Sequence, residues 1–384
     1  MTEASAGTRL WGRARQPLME AVLPFAVARI IVLGALGLSH FVVDRTHSTV
    51  AVAQRVHEGL LGWDAGWYET IARVGYRPLG TQSLRFFPAL PALAHALAWL
   101  PGVDDGAAVV IIANVAAFIA TAMFFVLVRR ESGDAELARR SLWILSLSPA
   151  AFVLVMGYAE SLLLVCALGA FLVLRPAGSS TRPAFAAAAV FGLLAALTRP
   201  VGVLVAIPAL VELVRWWPRT GRPTRLAGLA AVVAPLVGVA GFLGWAQHVT
   251  HDLFAPLHVQ LESTHHGGLS DPVVTLFHDA TGILHRHVGT ALHVPWVLLA
   301  LVLLIVCWRK FPAPYTLFAA GILAVAVAGS NLDSFERYAL SAFPLSMAGA
   351  LLCRSAQVER VVLILLAAGL AGYSVLAFMN LYVP

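Results

Sequence analysis

Four separated stretches of this 384-residue chain set charged side chains among aromatic or aliphatic neighbours. Asp64 stands between Trp63 and the pair Trp67 and Tyr68. Tyr158 and Glu160 interrupt an apolar run, Arg199 sits between Thr198 and Pro200, and Glu336, Arg337 and Tyr338 are consecutive. A lone acid among aromatic rings suits carbohydrate chemistry better than solute passage. Charges at or within a bilayer are costly and pair with each other or line a cavity, so several gathered at one end of the spans point to one site mixing carboxylates with arginines. Each residue also has a plainer reading. Asp64 would serve as a helix N-cap, and Trp63 and Trp67 as interfacial belt aromatics. Tyr158 and Glu160 would sit in a solvated turn. Arg199 would snorkel, and Arg337 would pair with Asp333 at i, i+4.

The elements that must position these residues are membrane-spanning. Apolar residues make up 59% of the chain and charged residues 12%, with a mean hydropathy of +0.82, which no soluble domain of this length matches. A spanning helix needs about 20 apolar residues. The expected fold is therefore an all-α polytopic membrane protein of about eleven transmembrane helices, with ten to thirteen admitted. The segments are 18–40, 107–128, 141–157, 160–174, 184–198, 200–214, 226–247, 292–308, 315–329, 339–352 and 361–379. One face of this arrangement collects 17 of the 26 basic residues and a net charge of +10, against −5 on the other. The positive-inside rule makes the first face, and with it the N-terminus, cytoplasmic. The candidate residues Asp64, Tyr158, Glu160, Arg199, Arg337 and Tyr338, with Asp104, Asp105 and Glu336, then lie at extracytoplasmic span ends of a multi-pass plasma (cell inner) membrane protein. Nothing comparable is expected at the inner ends. The basic pI of 9.6 matches anionic lipid headgroups rather than nucleic acid. Arg29, inside the first span, is expected to snorkel toward the cytoplasm.

The whole chain, 1–384, reads as one membrane domain. Its first extracytoplasmic loop, 41–106, carries the Trp63–Asp64 motif and juxtamembrane helices. Within it 86–100 is apolar but holds Pro88 and Pro91, so a re-entrant or surface-lying helix is expected there. A second outer loop, 248–291, is rich in histidine; His251, His258, His265, His266, His278, His285 and His287 follow no zinc-site spacing, and a loop covering the site is expected. Cys166, Cys307 and Cys353 fall in or near apolar spans and predict no disulfide. Neither phosphate-cradling glycine motif is present, so any activated donor must come without a nucleotide-binding module.

Taken together, W-D-x-x-W-Y and A-x-x-G-Y within 63–76, R-F-F-P-A-L-P at 85–91, S-P-A-A-F and G-Y-A-E-S-L within 148–162, T-R-P-V-G at 198–202 and E-R-Y with F-P within 336–344 resemble the PIG-V family of membrane mannosyltransferases, in the GT-C superfamily. Leu90 stands where that family often has an aromatic, and Pro200, Val201 and Gly202 replace a polar ending of the fourth motif. The resemblance implies a GT-C-type bundle and inverting transfer of a sugar, mannose above all, on the extracytoplasmic face. The donor would be a polyprenyl-phosphate sugar and the acceptor a lipid (glycolipid), glycan or protein. Such chemistry needs a carboxylate to take the acceptor hydroxyl's proton and cations on the departing phosphate. Asp64 is the candidate base, with Glu160 sharing that role or positioning the sugar. Arg337 and Arg199 are candidate phosphate ligands, with Tyr338 or Tyr158 as hydrogen-bond donors; Trp63, Trp67, Tyr68 and Tyr158 are candidate substrate contacts. The resemblance implies no cofactor, although Asp104 and Asp105 keep a divalent cation in view. The rival reading is a lipid-linked sugar flippase or small-solute transporter.

Overall fold

The computed structural model describes residues 4–46, 48–175, 181–262, 267–282 and 292–382. Among these, seventeen α-helices account for almost all regular structure. They are α1 (Ala4–Arg45), α2 (Val50–Glu58), α3 (Asp64–Val74), α4 (Ala89–Leu97), α5 (Asp105–Ser132), α6 (Ala135–Leu147), α7 (Glu160–Leu174), α8 (Arg182–Thr198), α9 (Ala206–Trp216), α10 (Arg222–Thr250), α11 (Ala255–Gln260), α12 (Pro272–Gly282), α13 (Val294–Lys310), α14 (Ala313–Ala326), α15 (Phe335–Ser341), α16 (Pro344–Leu352) and α17 (Ala356–Phe378). Helix α1 packs on α5 and α17, α5 on α7, α7 on α8 and α8 on α10.

Five stretches are long and apolar enough to cross a bilayer: Arg15–Arg45, Asp105–Ser132, Pro200–Arg219, Arg222–Thr250 and Ala356–Phe378. They make this a multi-pass helical membrane protein. The expected eleven full spans are not established. All eleven apolar segments are helical, but several are short or interrupted for visible reasons. A residue before proline is forced toward extended backbone. Hence α6 stops where Ser148 turns to ψ 137° ahead of Pro149 and the chain continues as a 3-10 turn, Pro149–Leu154. Helix α15 ends where Ala342 leaves helical geometry (φ −77°, ψ 61°), and Pro344 opens α16 two residues later; α7 has 15 residues, about 22 Å at 1.5 Å per residue. Helix α4, within 86–100, has nine residues, about 14 Å, too short to cross.

Between the helices lies an aromatic core. The Phe171 ring meets Tyr315, Phe318 and Phe343 at centroid distances of 4.8, 5.5 and 5.2 Å, and Phe124 meets Phe343 at 5.7 Å. All five rings are buried. The three cysteines are buried and unpaired.

Arg29 does not snorkel. Its Nε donates to Asn114 Oδ1 at 3.0 Å and its Nη2 to the Leu154 carbonyl at 2.7 Å, while Asn114 Nδ2 donates to the Val155 carbonyl at 2.8 Å. The 3-10 turn at 149–154 leaves carbonyls without helical partners, and inside a membrane each must be satisfied within the protein.

Candidate functional site

Two carboxylates begin helices at the same end of the bundle. Asp64 is the first residue of α3 and Glu160 the first of α7, positions where the helix dipole favours negative charge. Asp64 is not the cap, which falls to Trp63 with no side-chain bond. Its carboxylate turns instead to α15, where Arg337 Nη1 meets Asp64 Oδ2 at 2.5 Å. Arg337 Nε lies 3.2 Å from Glu160 Oε1, within ion-pair range but not aligned for a hydrogen bond. Glu160 Oε1 also accepts from Arg199 Nη1. Proline again does the positioning: Arg199, ahead of Pro200, is extended (φ −156°, ψ 150°) and ends α8. The result is an alternating chain of four charges, Asp64, Arg337, Glu160 and Arg199, drawn from four sequence regions.

Burial makes this arrangement consequential. Glu160 is 1% exposed, Arg337 6% and Arg199 9%; breaking one member of a buried pair leaves an uncompensated charge. Only Asp64 keeps an opening, its side chain 28% exposed. Two tyrosines floor the cluster. The Arg337 guanidinium lies 5.5 Å from the Tyr158 ring and that of Arg199 5.2 Å from the Tyr338 ring. The Asp64 backbone N–H donates to the Tyr158 hydroxyl at 3.4 Å, and Tyr158 is fully buried. Neither the solvated turn nor the snorkelling arginine describes these residues. Arg337 does not pair with Asp333, whose nearest cation is His293 at 3.6 Å.

The aromatic candidates divide. Tyr68 is buried with its ring edge-on to Phe86 at 5.2 Å, and burial pushes its phenol upward, with Arg199, Glu160, Asp64 and Arg337 all near enough to act on it. Trp67 stacks on Phe86 at 5.6 Å. Trp63 points elsewhere: its indole N–H donates to the Ala377 carbonyl at 2.9 Å and Arg55 covers its face at 4.1 Å. Asp104 caps α5 by accepting from Ala107 N at 2.6 Å. Among the described residues no three His, Cys, Asp or Glu side chains converge as a metal cage requires; His265, His266, His285 and His287 lie outside those residues. The described part of the His-rich loop packs α11 on the 3-10 turn Thr81–Arg85, with Gln82 Nε2 donating to Glu262 at 2.9 Å.

Burial drives the Asp64 carboxyl up, but Arg337, with help from Arg199 and Arg85, outweighs it and holds the group below the ordinary carboxylate range. Arg85 is a member that sequence reasoning missed, although it opens the R-F-F-P motif; its guanidinium lies 5.0 Å from the Phe86 ring and 6.0 Å from Trp67. Arg85 brings a third cation within electrostatic reach of Asp64, and Glu262 lies within reach of Arg85 in turn.

The span ends expected to face inward are not bare. At the opposite ends of α5 and α7, Arg175 donates to Glu131 Oε1 at 2.6 Å and to Glu212 Oε1 at 2.6 Å, and the Tyr315 hydroxyl donates to Glu131 at 2.9 Å. Glu131 and Glu212 were invisible as partners because each reads as an ordinary loop-proximal acid. Trp216 also donates to Glu212, at 3.1 Å, so this second cluster is internally satisfied.

No known protein-family profile matches the chain, and no curated protein does. Two solved structures from Archaeoglobus fulgidus share part of its layout. One is its oligosaccharyltransferase in a complex with Zn and sulfate, at TM-score 0.42 and 12% identity, covering 82% of this chain and 48% of that one. The other is the archaeal oligosaccharyltransferase AglB with an inhibitory peptide and a dolichol-phosphate, at TM-score 0.47 and 12% identity, covering 97% and 56%. The chain spans about half the length of these two proteins. At this level of similarity no residue takes a role from either.

Proposed function

We propose that this chain is a membrane glycosyltransferase that moves a sugar, mannose first, from a polyprenyl-phosphate donor to a lipid, glycan or protein acceptor on the extracytoplasmic face, as a PIG-V-like member of the GT-C superfamily. The observation that carries the reading is the buried array Asp64–Arg337–Glu160–Arg199, open to solvent only at Asp64. In the reaction the acceptor hydroxyl gives its proton to the Asp64 carboxylate while its oxygen forms a bond to the sugar's anomeric carbon. The bond from that carbon to the phosphate oxygen breaks, the electron pair leaves with the polyprenyl phosphate, and the anomeric configuration inverts. Asp64 paired to Arg337 is a poor base. Arg337 transferred from Asp64 to the donor phosphate would stabilise the leaving group and, in the same movement, leave burial to raise the proton affinity of Asp64. Arg199 and Arg85 supply further positive charge, and Glu160 orients both arginines.

Transport finds less support. A solute route would have to join the two polar clusters, yet Phe124, Phe171, Phe318 and Phe343 pack ring against ring within the bundle. The test is purified protein supplied with a labelled polyprenyl-phosphate mannose and candidate acceptors. Release of free polyprenyl phosphate with labelled product supports transfer; movement of intact donor across the bilayer without cleavage would overturn it.

A further inference from the structure

We infer that His293 is a positioning residue for Arg337: its imidazolium, clasped between Glu336 and Asp333, holds the 331–338 segment in place and cancels the negative charge beside the guanidinium that receives the donor phosphate. The second half of this assignment rests on the proposed transfer reading.

The geometry begins with Glu336, which is 4% exposed. Its sequence neighbour Arg337 is committed to Asp64 and Glu160, so Glu336 needs another cation. His293, in the turn ahead of α13 and 3% exposed, brings Nδ1 to 3.0 Å from both Glu336 oxygens. Its Nε2 faces Asp333 Oδ1 at 3.6 Å. The Tyr382 hydroxyl donates to Glu336 Oε2 at 2.8 Å, the Tyr382 ring lies 5.7 Å from the imidazole and 4.9 Å from Tyr373, and Trp296 donates to the Tyr373 hydroxyl at 2.6 Å. The groups around the imidazole are thus two carboxylates, two phenols and, one residue beyond, Arg337. Burial pulls its pKa down, but Asp333 and Glu336 raise it to about 9. Both ring nitrogens point at carboxylates, so the charged form alone donates to each. Loss of that proton leaves Glu336 as an uncompensated anion next to the phosphate site, which opposes a second anion there.

The experiment uses the full chain in lipid nanodiscs and a sugar-free polyprenyl phosphate as probe, with affinity measured from pH 7 to 10. The probe's own second ionisation lies at about pH 6, well below the expected fall. Wild-type affinity should fall as pH rises through 9. His293→Gln should bind about ten-fold more weakly at pH 7, a typical coupling between linked sites, and lose the pH dependence. Glu336→Gln should move the fall to lower pH. Wild-type affinity and an unchanged pH limb in His293→Gln, or in Glu336→Gln should the first variant not fold, would overturn the assignment. So would an imidazole found neutral at pH 7 by nitrogen NMR of the wild-type protein. Binding with the expected pH limb but no transfer of any sugar would instead sink the transfer reading alone.

Discussion

Asp64 and Arg337 meet at 2.5 Å across 273 residues of sequence, and both lie just past a non-glycine residue in the left-handed backbone region. Trp63 has φ 59° immediately before Asp64, and Ser334 has φ 68° immediately before the helix that carries Arg337. Such conformations cost about 1–3 kcal/mol each and persist only where the surroundings over-determine them. Here the surroundings are identifiable. The Trp63 indole is tied to the end of α17, and the segment after Ser334 is tied to His293 and Tyr382.

Asp64→Asn should lower sugar transfer by about 10²- to 10⁴-fold, the usual worth of a general base, with folded protein at wild-type levels. Near-normal turnover would remove Asp64 from the base role. The wild-type pH profile carries a second signature. The free protein holds the carboxyl low through Arg337, whereas the proposed donor complex would place Arg337 on phosphate. The acid limb of kcat should therefore lie at higher pH than that of kcat/KM. Because the folded pKa is below the unfolded value of about 3.9, the ion pair's contribution to stability is complete above that value and is lost as pH falls through the folded pKa.

Arg337→Gln should cost about 10²- to 10³-fold in turnover, as loss of one transition-state donor does, and should lower the melting temperature by stranding Asp64 and Glu160. Arg73→Gln, at an exposed position of α3, should change neither. Equal losses would make Arg337 an ordinary structural arginine.

Arg175→Gln tests the opposite end of the bundle. Removing the cation between Glu131 and Glu212 should cost about 3–5 kcal/mol of stability, read as a large fall in melting temperature, while transfer per folded molecule stays within about two-fold of wild type, given the wide apolar core between the clusters. A selective loss of turnover at unchanged stability would give that cluster a part in function.

Gly202→Ala reaches Arg199 through the backbone. A β-carbon there would stand 2.0 Å from the Ala195 carbonyl oxygen, and the Gly202 N–H already bonds the Arg199 carbonyl at 2.9 Å. Overpacking of this kind costs about 1–3 kcal/mol and should depress transfer by displacing Arg199. Gly244→Ala, with no atom within 4 Å of the new carbon, is the matched control and should be silent in the same assay.

Much of the fold was legible because bilayer thickness imposes a length on apolar runs, and every expected segment is helical. Where the reading diverged, local backbone was responsible: Ser148 ahead of Pro149 and Ala342 ahead of α16 interrupt runs whose composition alone reads as continuous. For the site, Asp64, Tyr158, Glu160, Arg199 and Arg337 stood out because each is polar in apolar surroundings, and the fold brings these five together. Arg85, His293 and Arg175 were not legible in the same way. Arg85 lies in a loop already rich in charge, His293 is one of nine histidines between 248 and 293, and Arg175 looks like a helix-end cation. The roles of Arg175 and His293 depend on partners distant in sequence rather than on local context: Arg175 meets Glu212 and Glu131 across 37 and 44 positions, and His293 meets Glu336 across 43.

Arg29 bears on how the protein is made. It lies inside the first candidate span, where an uncompensated arginine costs about 2.5–3.5 kcal/mol on insertion. Its partners Asn114 and Leu154 follow 85 and 125 residues later. Until α5 and the turn after α6 have been made, Arg29 lacks these native partners, and pairing with them offsets that cost when the bundle closes.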